Sequence, residues 1–300
     1  MTSETTLSVH VRIEQMLKRL LVRLSSPYLR ARRLPIAGRI EHKEFISATS
    51  GTQRYVVYLP EAYDLGKDRY PILYHLHGVR VNRRGVALDV NHLAAQMERA
   101  IAAGIAAPMV IVAPINPNID MWADSYDDET QPATMFRNDL IPHIDANFRT
   151  IQVASHRAIC GFSMGGFGAA HLAASRPGFF GALIEFDGAL HTWETLAANR
   201  PGIAENVFAS ERYFRRYSPP LVLAGADPPP RVMIVAGELT DYAGRFRDDL
   251  AEANIAASYV EANCGHDLFC LLDATGVDAF AFISVSHGAE PEVDRDDQSG

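Results

Sequence analysis

The chain has 300 residues, 48% of them apolar and 21% charged, an ordinary globular composition with enough length to bury a core unaided. Its net charge of −8 is uneven: residues 1–40 carry eight Lys/Arg against two Asp/Glu, the last eleven residues five acids against one Arg, which leaves −10 on the body between. An acidic body excludes nucleic acid as the main partner, and the absence of a run of about 18 apolar residues argues against a spanning helix.

In chain order, Val9, Ile13, Leu17, Leu20 and Leu24 recur at spacings of three and four, which predicts an amphipathic helix within an N-terminal segment, residues 1–38. Its stripe fits docking on the body or on a second copy of the chain better than a membrane surface. Arg12, Glu14, Lys18, Arg19 and Arg23 interrupt it, so it does not read as a secretory signal. The predicted body spans 39–287. It opens with strands at 39–48 and 53–59, antiparallel at a sheet edge, followed by a strand at 71–76. A helix at 88–103, a strand at 109–113 and a helical stretch at 132–148 come next. A strand at 157–160 runs into a helix from Met164 to about Ser175, and another strand covers 182–186. Residues 191–230 are proline-rich and read as irregular. A strand at 232–236, a helix at 243–254, a strand at 256–261 and a helix at 274–285 complete the body. Residues 288–300 read as an acidic, disordered tail. Strand–helix alternation of this kind predicts an α/β fold with a mostly parallel sheet covered on both faces.

Between the 157–160 strand and its helix lies Gly161-Phe162-Ser163-Met164-Gly165, a G-x-S-x-G pattern. A serine hydroxyl is a weak nucleophile and must be presented at once to a base and to an oxyanion site. A tight strand-to-helix turn does this, and it needs glycine where the two backbones cross. The bare pattern arises by chance in roughly one chain in ten of this length, so its weight comes from context. That context is an apolar strand before and a helix of small residues after.

The chain order of such a site is Ser, acid, His. His266, in Asn263-Cys264-Gly265-His266-Asp267, follows the last predicted strand and is the candidate base. The candidate acid is Asp241, with Glu238 as the alternative, both in the loop after the 232–236 strand. The oxyanion donors are sought at Met164 and, after the 71–76 strand, at Gly78 or Val79.

Five segments carry a resemblance: VVYLPEAYD (56–64), YPILYHLHG (70–78), DLIPHIDANFRT (139–150), RAICGFSMGGFGAAHLAASRPGFFGALIEFDGAL (157–190) and CGHDLF (264–269). In order and content they resemble the esterase D family of α/β-hydrolases, which includes feruloyl and siderophore esterases, S-formylglutathione hydrolases and mycolyltransferases. The resemblance implies an α/β-hydrolase fold without a large separate lid. It also implies roles for Ser163, Asp241 and His266, with oxyanion donors at Met164 and Val79. Trp122 and Asp124 fall where the family often lines its pocket.

The implied activity is hydrolysis of a small-molecule carboxylic ester through an acyl-enzyme, with no cofactor. Acyl transfer to an alcohol would use the same residues, and a non-catalytic binding protein could keep the fold. Arg80, with Arg83 and Arg84, could bind an anionic group on the substrate, though a solvated basic loop is the commoner case. His75 and His77 share a strand face but lack a third partner at metal-ligand spacing, so no metal is expected. Cys160, Cys264 and Cys270 are too few for a disulfide framework; a bridge between Cys264 and Cys270, which flank His266, is conceivable, but free thiols in a reducing, cytoplasmic setting are the expectation.

Overall fold

A computed structural model describes residues 31–79 and 81–287. The predicted N-terminal helix, the acidic tail and Arg80 lie outside the described residues. The described residues from Leu34 onward form one compact unit.

The main unit is built on one eight-stranded sheet. Its strands are β1 (Arg39–Ser47), β2 (Gly51–Leu59), β3 (Ile72–Leu76), β4 (Val110–Pro114), β5 (Arg157–Phe162), β6 (Ala182–Phe186), β7 (Arg231–Ala236) and β8 (Ala257–Glu261). Their order across the sheet is β1-β2-β4-β3-β5-β6-β7-β8. The β1–β2 hairpin is antiparallel to itself and to β4, and the other pairings are parallel. This matches the antiparallel edge and parallel centre read from the sequence. All residues of β3, β4, β5 and β6 are buried, because helices cover both faces, so these strands read as largely apolar runs rather than alternating ones.

Four longer elements complete the layers: α1 (Arg83–Ala102), α2 (Met164–Ala174), α3 (Thr240–Glu252) and α4 (Leu268–His287). α1 and α4 begin five or more residues earlier than their periodicity predicts. The reason is capping: Asn82 accepts from the Arg84 and Gly85 amides, and Asp267 from the Phe269 and Cys270 amides. α2 is buried on every side, which explains why it is apolar all round and made mostly of Gly and Ala. The helical stretch at 132–147 comes in three pieces, with a π-helical turn at Met135–Leu140 between Pro132–Thr134 and Ile141–Asn147.

Residues 191–230 are not irregular. They form short helices at Trp193–Asn199, Pro201–Ile203, Glu211–Phe214 and Pro219–Ala224, with a π-helical turn at Ala204–Phe208. Their prolines sit at first helical positions, where the missing N–H costs nothing. Leu196, Phe208, Phe214 and Leu223 join the main core, so this insertion is not a separate lid.

His75, Arg157 and Glu185 are polar or charged side chains buried within these strands, and His77 is buried just beyond β3. His75 lies between Asp89 (3.3 Å) and Cys160 (3.4 Å). Glu185 differs, because neither carboxyl oxygen has a hydrogen-bond partner among the described residues. It fills space left by glycines: a Cβ on Gly188 would lie 1.8 Å from its Oε1 and one on Gly166 2.7 Å. Burial, and then the nearby charge of Asp187, push its pKa well above the usual carboxylate range. The protonated form is thus favoured in the fold. Its contribution to stability is complete below the unfolded-state pKa and is lost as pH rises through the folded-state value. Glu185→Gln mimics the neutral acid and should raise Tm relative to wild type at pH 8 but not at pH 4. Thermal melts at the two pH values check this; equal differences at both would refute it.

Candidate active site

The C-terminal ends of the central parallel strands meet at one edge of the sheet, where such folds open a crevice. β5 delivers Ser163 there. Its φ of 56° and ψ of −119° lie outside the ordinary regions for a non-glycine residue, and the turn that holds it must absorb the strain. Two glycines make the turn feasible. A Cβ on Gly161 would lie 1.9 Å from the Gly165 carbonyl oxygen, and one on Gly165 would lie 1.9 Å from that of Leu76. The Ser163 carbonyl accepts from the amides of Gly166 (3.0 Å) and Ala189 (2.9 Å), tying the elbow to α2 and to the chain after β6.

A serine at a helix N-cap commonly bonds its own helix. Ser163 does not; its hydroxyl meets His266 Nε2 at 2.9 Å instead. The His266 ring stacks on Phe162, with centroids 4.7 Å apart. Its backbone amide donates to Glu238 Oε2 at 3.1 Å. Its Nδ1 faces Asp187 Oδ2 at 2.6 Å.

The carboxylate that meets His266 is thus that of Asp187, where Asp241 or Glu238 was expected. Asp187 follows β6 directly, not β7, and takes a left-handed φ of 44°. Asp241 is exposed in the first turn of α3, and Glu238 holds only the His266 backbone. The loop from which the acid was sought has another job. Its Gly237, Glu238 and Leu239 amides donate to the Asp187 carboxylate at 2.8, 3.2 and 2.8 Å. Burial pushes the Asp187 pKa up, but the His266 hydrogen bond and the Gly237 and Leu239 amides outweigh it, and the net shift is downward. The carboxylate is therefore held ionised beside the imidazole. The order Ser, acid, His is kept. The signal available in the sequence was the Asp187-Gly188 pair at the end of an apolar strand.

Gly78 passes close to the serine: a Cβ there would lie 3.2 Å from the Ser163 Cβ. Met164 opens α2, so its N–H has no acceptor within the helix. Val79 continues the same loop and is partly exposed.

The predicted substrate contacts fare differently. Trp122 is fully buried, with its Nε1 donating to the His77 carbonyl at 3.2 Å, so it cannot stack on a substrate. Asp124 accepts from the Ala133 and Thr134 amides at 2.9 and 3.0 Å and caps the helical stretch that starts at Pro132. Both are structural because they face inward, which their spacing did not reveal. Arg83 and Arg84 are exposed at the start of α1. Cys264 and Cys270 form a disulfide that closes the loop carrying His266, with Cα atoms 5.9 Å apart. The expectation of free thiols is corrected: the turn into α4 brings the two together, and the inference of a reducing setting loses that support. Cys160 is free and buried. No helix among the described residues is long and apolar enough to cross a membrane.

Known proteins agree with this architecture. A family model described as "Putative esterase" matches residues 47–254. An esterase of Mycobacterium tuberculosis is 33% identical over 135 residues, 44% of this chain and 28% of the relative. Endo-1,4-beta-xylanase Y of Acetivibrio thermocellus is 31% identical over 142 residues, 44% of this chain and 12% of the relative. The chain thus matches about a quarter or less of those relatives' own length. Among solved structures, a ferulic acid esterase superposes with a TM-score of 0.71 at 24% identity, covering 85% of this chain and all of that one. An S-formylglutathione hydrolase from Agrobacterium tumefaciens gives 0.67 at 16% identity, covering 85% and 98%. These likenesses fix an α/β-hydrolase fold, and the family match over most of the body means that the chain belongs to this esterase family.

Proposed function

We propose that the protein hydrolyses small-molecule carboxylic esters through an acyl-enzyme on Ser163. The observation that carries this reading is the continuous chain Ser163 Oγ–His266 Nε2 (2.9 Å) and His266 Nδ1–Asp187 Oδ2 (2.6 Å), mounted on a strained strand–helix turn. Asp187, kept ionised, fixes His266 with its proton on Nδ1, which leaves Nε2 free to accept. As Ser163 Oγ attacks the ester carbonyl, its proton passes to Nε2, and the imidazolium is stabilised by Asp187. The carbonyl oxygen, now negative, lies between the amides of Met164 and the Gly78–Val79 loop, aided by the positive end of α2. His266 then protonates the leaving alcohol, whose departure leaves Ser163 acylated. Water, deprotonated by His266, attacks the acyl carbon and releases the acid and free Ser163.

The family match and relatives named esterase, ferulic acid esterase and S-formylglutathione hydrolase support the reaction class: cleavage of an acyl group from an oxygen or sulfur leaving group. Only that class is taken from them. The test is turnover of p-nitrophenyl acetate by wild type and by Ser163→Ala. Wild type should show saturable hydrolysis, and the variant should lose at least about 10³-fold in kcat. Equal turnover by the two proteins would remove the proposal.

A further inference from the structure

We propose that Asp120 is a positioning residue for the oxyanion site: buried behind the Gly78–Val79 loop, its carboxylate clamps Asn116 and Trp122, and these two hold His77 and thereby the loop's amides. The proposal rests on the reading of Ser163 as nucleophile and goes beyond it by naming what sets the oxyanion geometry.

Asp120 is buried. Its Oδ1 accepts from Asn116 Nδ2 at 2.9 Å and from the Trp122 amide at 2.9 Å, and its Oδ2 accepts from Asn116 Nδ2 at 3.1 Å. Burial pushes its pKa up to about 6, and the Asn116 and Trp122 donors oppose that shift. A buried carboxyl is costly to keep, and here these donors offset much of the cost.

Each clamped residue then reaches His77. The Asn116 side chain is fixed at both ends, since its Oδ1 accepts from the Asn118 amide at 3.0 Å. Its backbone N–H donates to His77 Nε2 at 3.0 Å. That assigns the tautomer: Nε2 accepts, so Nδ1 carries the proton and donates to the Gly78 carbonyl at 2.7 Å. Burial lowers the His77 pKa to about 4, which keeps this neutral form in place. From the other side, Trp122 Nε1 donates to the His77 carbonyl. Thus the carbonyls at both 77 and 78 are anchored, and the peptide planes that carry the Gly78 and Val79 N–H groups are set by them.

The backbone beside the clamp is itself strained. Met121 and Trp122 have φ of 59° and 57°, a left-handed pair without glycine. The Asp120 bond to the Trp122 amide lies within that turn, and the Trp122 ring packs against Gly168 of α2, where a Cβ would lie 2.5 Å from Trp122 Cβ. Strain of this kind persists where the surroundings over-determine it, and here they point at the loop facing Ser163.

The experiment compares wild type, Asp120→Asn and the exchanged pair Asp120→Asn with Asn116→Asp. In the single variant the oxygen kept for the Trp122 amide can still accept from Asn116, but the new NH₂ faces the Asn116 NH₂ where Oδ2 had accepted, so the clamp is weakened. In the exchanged pair, residue 120 keeps an oxygen for the Trp122 amide and donates to residue 116, which still accepts from the Asn118 amide. Steady-state kinetics on p-nitrophenyl acetate, the rate of Ser163 phosphonylation by a fluorophosphonate and Tm are measured for each. The single variant should lose about 10- to 100-fold in kcat, less than the effect of deleting a whole oxyanion donor. KM should stay within about three-fold, since the ester ground state gains little from the oxyanion site. Phosphonylation should slow in parallel, and the exchanged pair should recover most of the loss. A kcat within two-fold of wild type, a loss expressed in KM, no recovery in the exchanged pair, or unfolding of both variants overturns the proposal. Failure of wild type to be phosphonylated at Ser163 would instead overturn the hydrolase reading on which it rests.

Discussion

Asp187→Asn should lower kcat for ester hydrolysis by about 10⁴-fold, whereas Asp241→Asn should leave it within two-fold. The contrast follows from hydrogen-bond polarity. The Gly237 and Leu239 amides both point at Asp187 Oδ1, so an asparagine would keep its oxygen there and turn its NH₂ toward His266. His266 Nδ1 would then have to accept, its proton would move to Nε2, and Nε2 could no longer take the proton of Ser163. The packing around the side chain would hardly change, so the variant should fold and keep a Tm close to wild type. Asp241, exposed on α3, has no such task. Parallel kinetics of the two variants on p-nitrophenyl acetate decide the matter. A severe loss in Asp241→Asn, or none in Asp187→Asn, would restore the acid suggested by the sequence.

The second large effect concerns folding. Gly165→Ala places a methyl group 1.9 Å from the Leu76 carbonyl oxygen and 2.5 Å from its carbon. Both atoms are backbone in a central strand, so no side chain can swing aside. Relief requires α2 to lift from β3, which opens the core around residues that are wholly buried. Overpacking of this kind belongs to the severe class, about 4–5 kcal/mol, or about 10–20 °C in Tm for a domain of this size. The control is Gly244→Ala in α3, where an added Cβ meets nothing within 4 Å. There the change should be neutral or stabilising by about 0.5–1 kcal/mol, from helix propensity alone. Thermal melts of the two variants measure the difference; similar shifts would mean that the crossing of β3 and α2 is looser than described.

Much of this architecture was legible in the sequence because local signals and tertiary demands coincide. Apolar runs such as ILYHL and ALIEF are strands because they are buried on both faces, and their bounds follow closely. The elbow could be read because the crossing of β5, α2 and β3 leaves glycine as the residue that fits, a demand written at Gly161 and Gly165. His266 was identifiable from its place after the last strand. Its carboxylate partner was not, because which strand end approaches an imidazole depends on sheet order and loop path rather than on spacing. β6 lies between β5 and β7, so an aspartate at its end sits beside the serine strand, while the β7 loop folds over it and lends its amides. Trp122 and Asp124 were misread for a related reason: an indole and a carboxylate in a loop look the same whether they face substrate or core. The cysteines show the limit of counting. Three residues suggest free thiols, yet a turn into α4 pairs Cys264 with Cys270 around His266.

In the proposed mechanism Ser163 becomes covalently acylated during turnover, and peptide mass mapping after reaction reads out that adduct. Wild-type protein treated with a fluorophosphonate, or quenched during steady-state turnover of a slowly deacylating aryl ester, should carry the adduct on the tryptic peptide containing Ser163. Ser163→Ala should carry none, and Asp187→Asn should acquire it far more slowly. An unmodified Ser163 in protein that still hydrolyses the ester, or an adduct at another residue, would contradict the account.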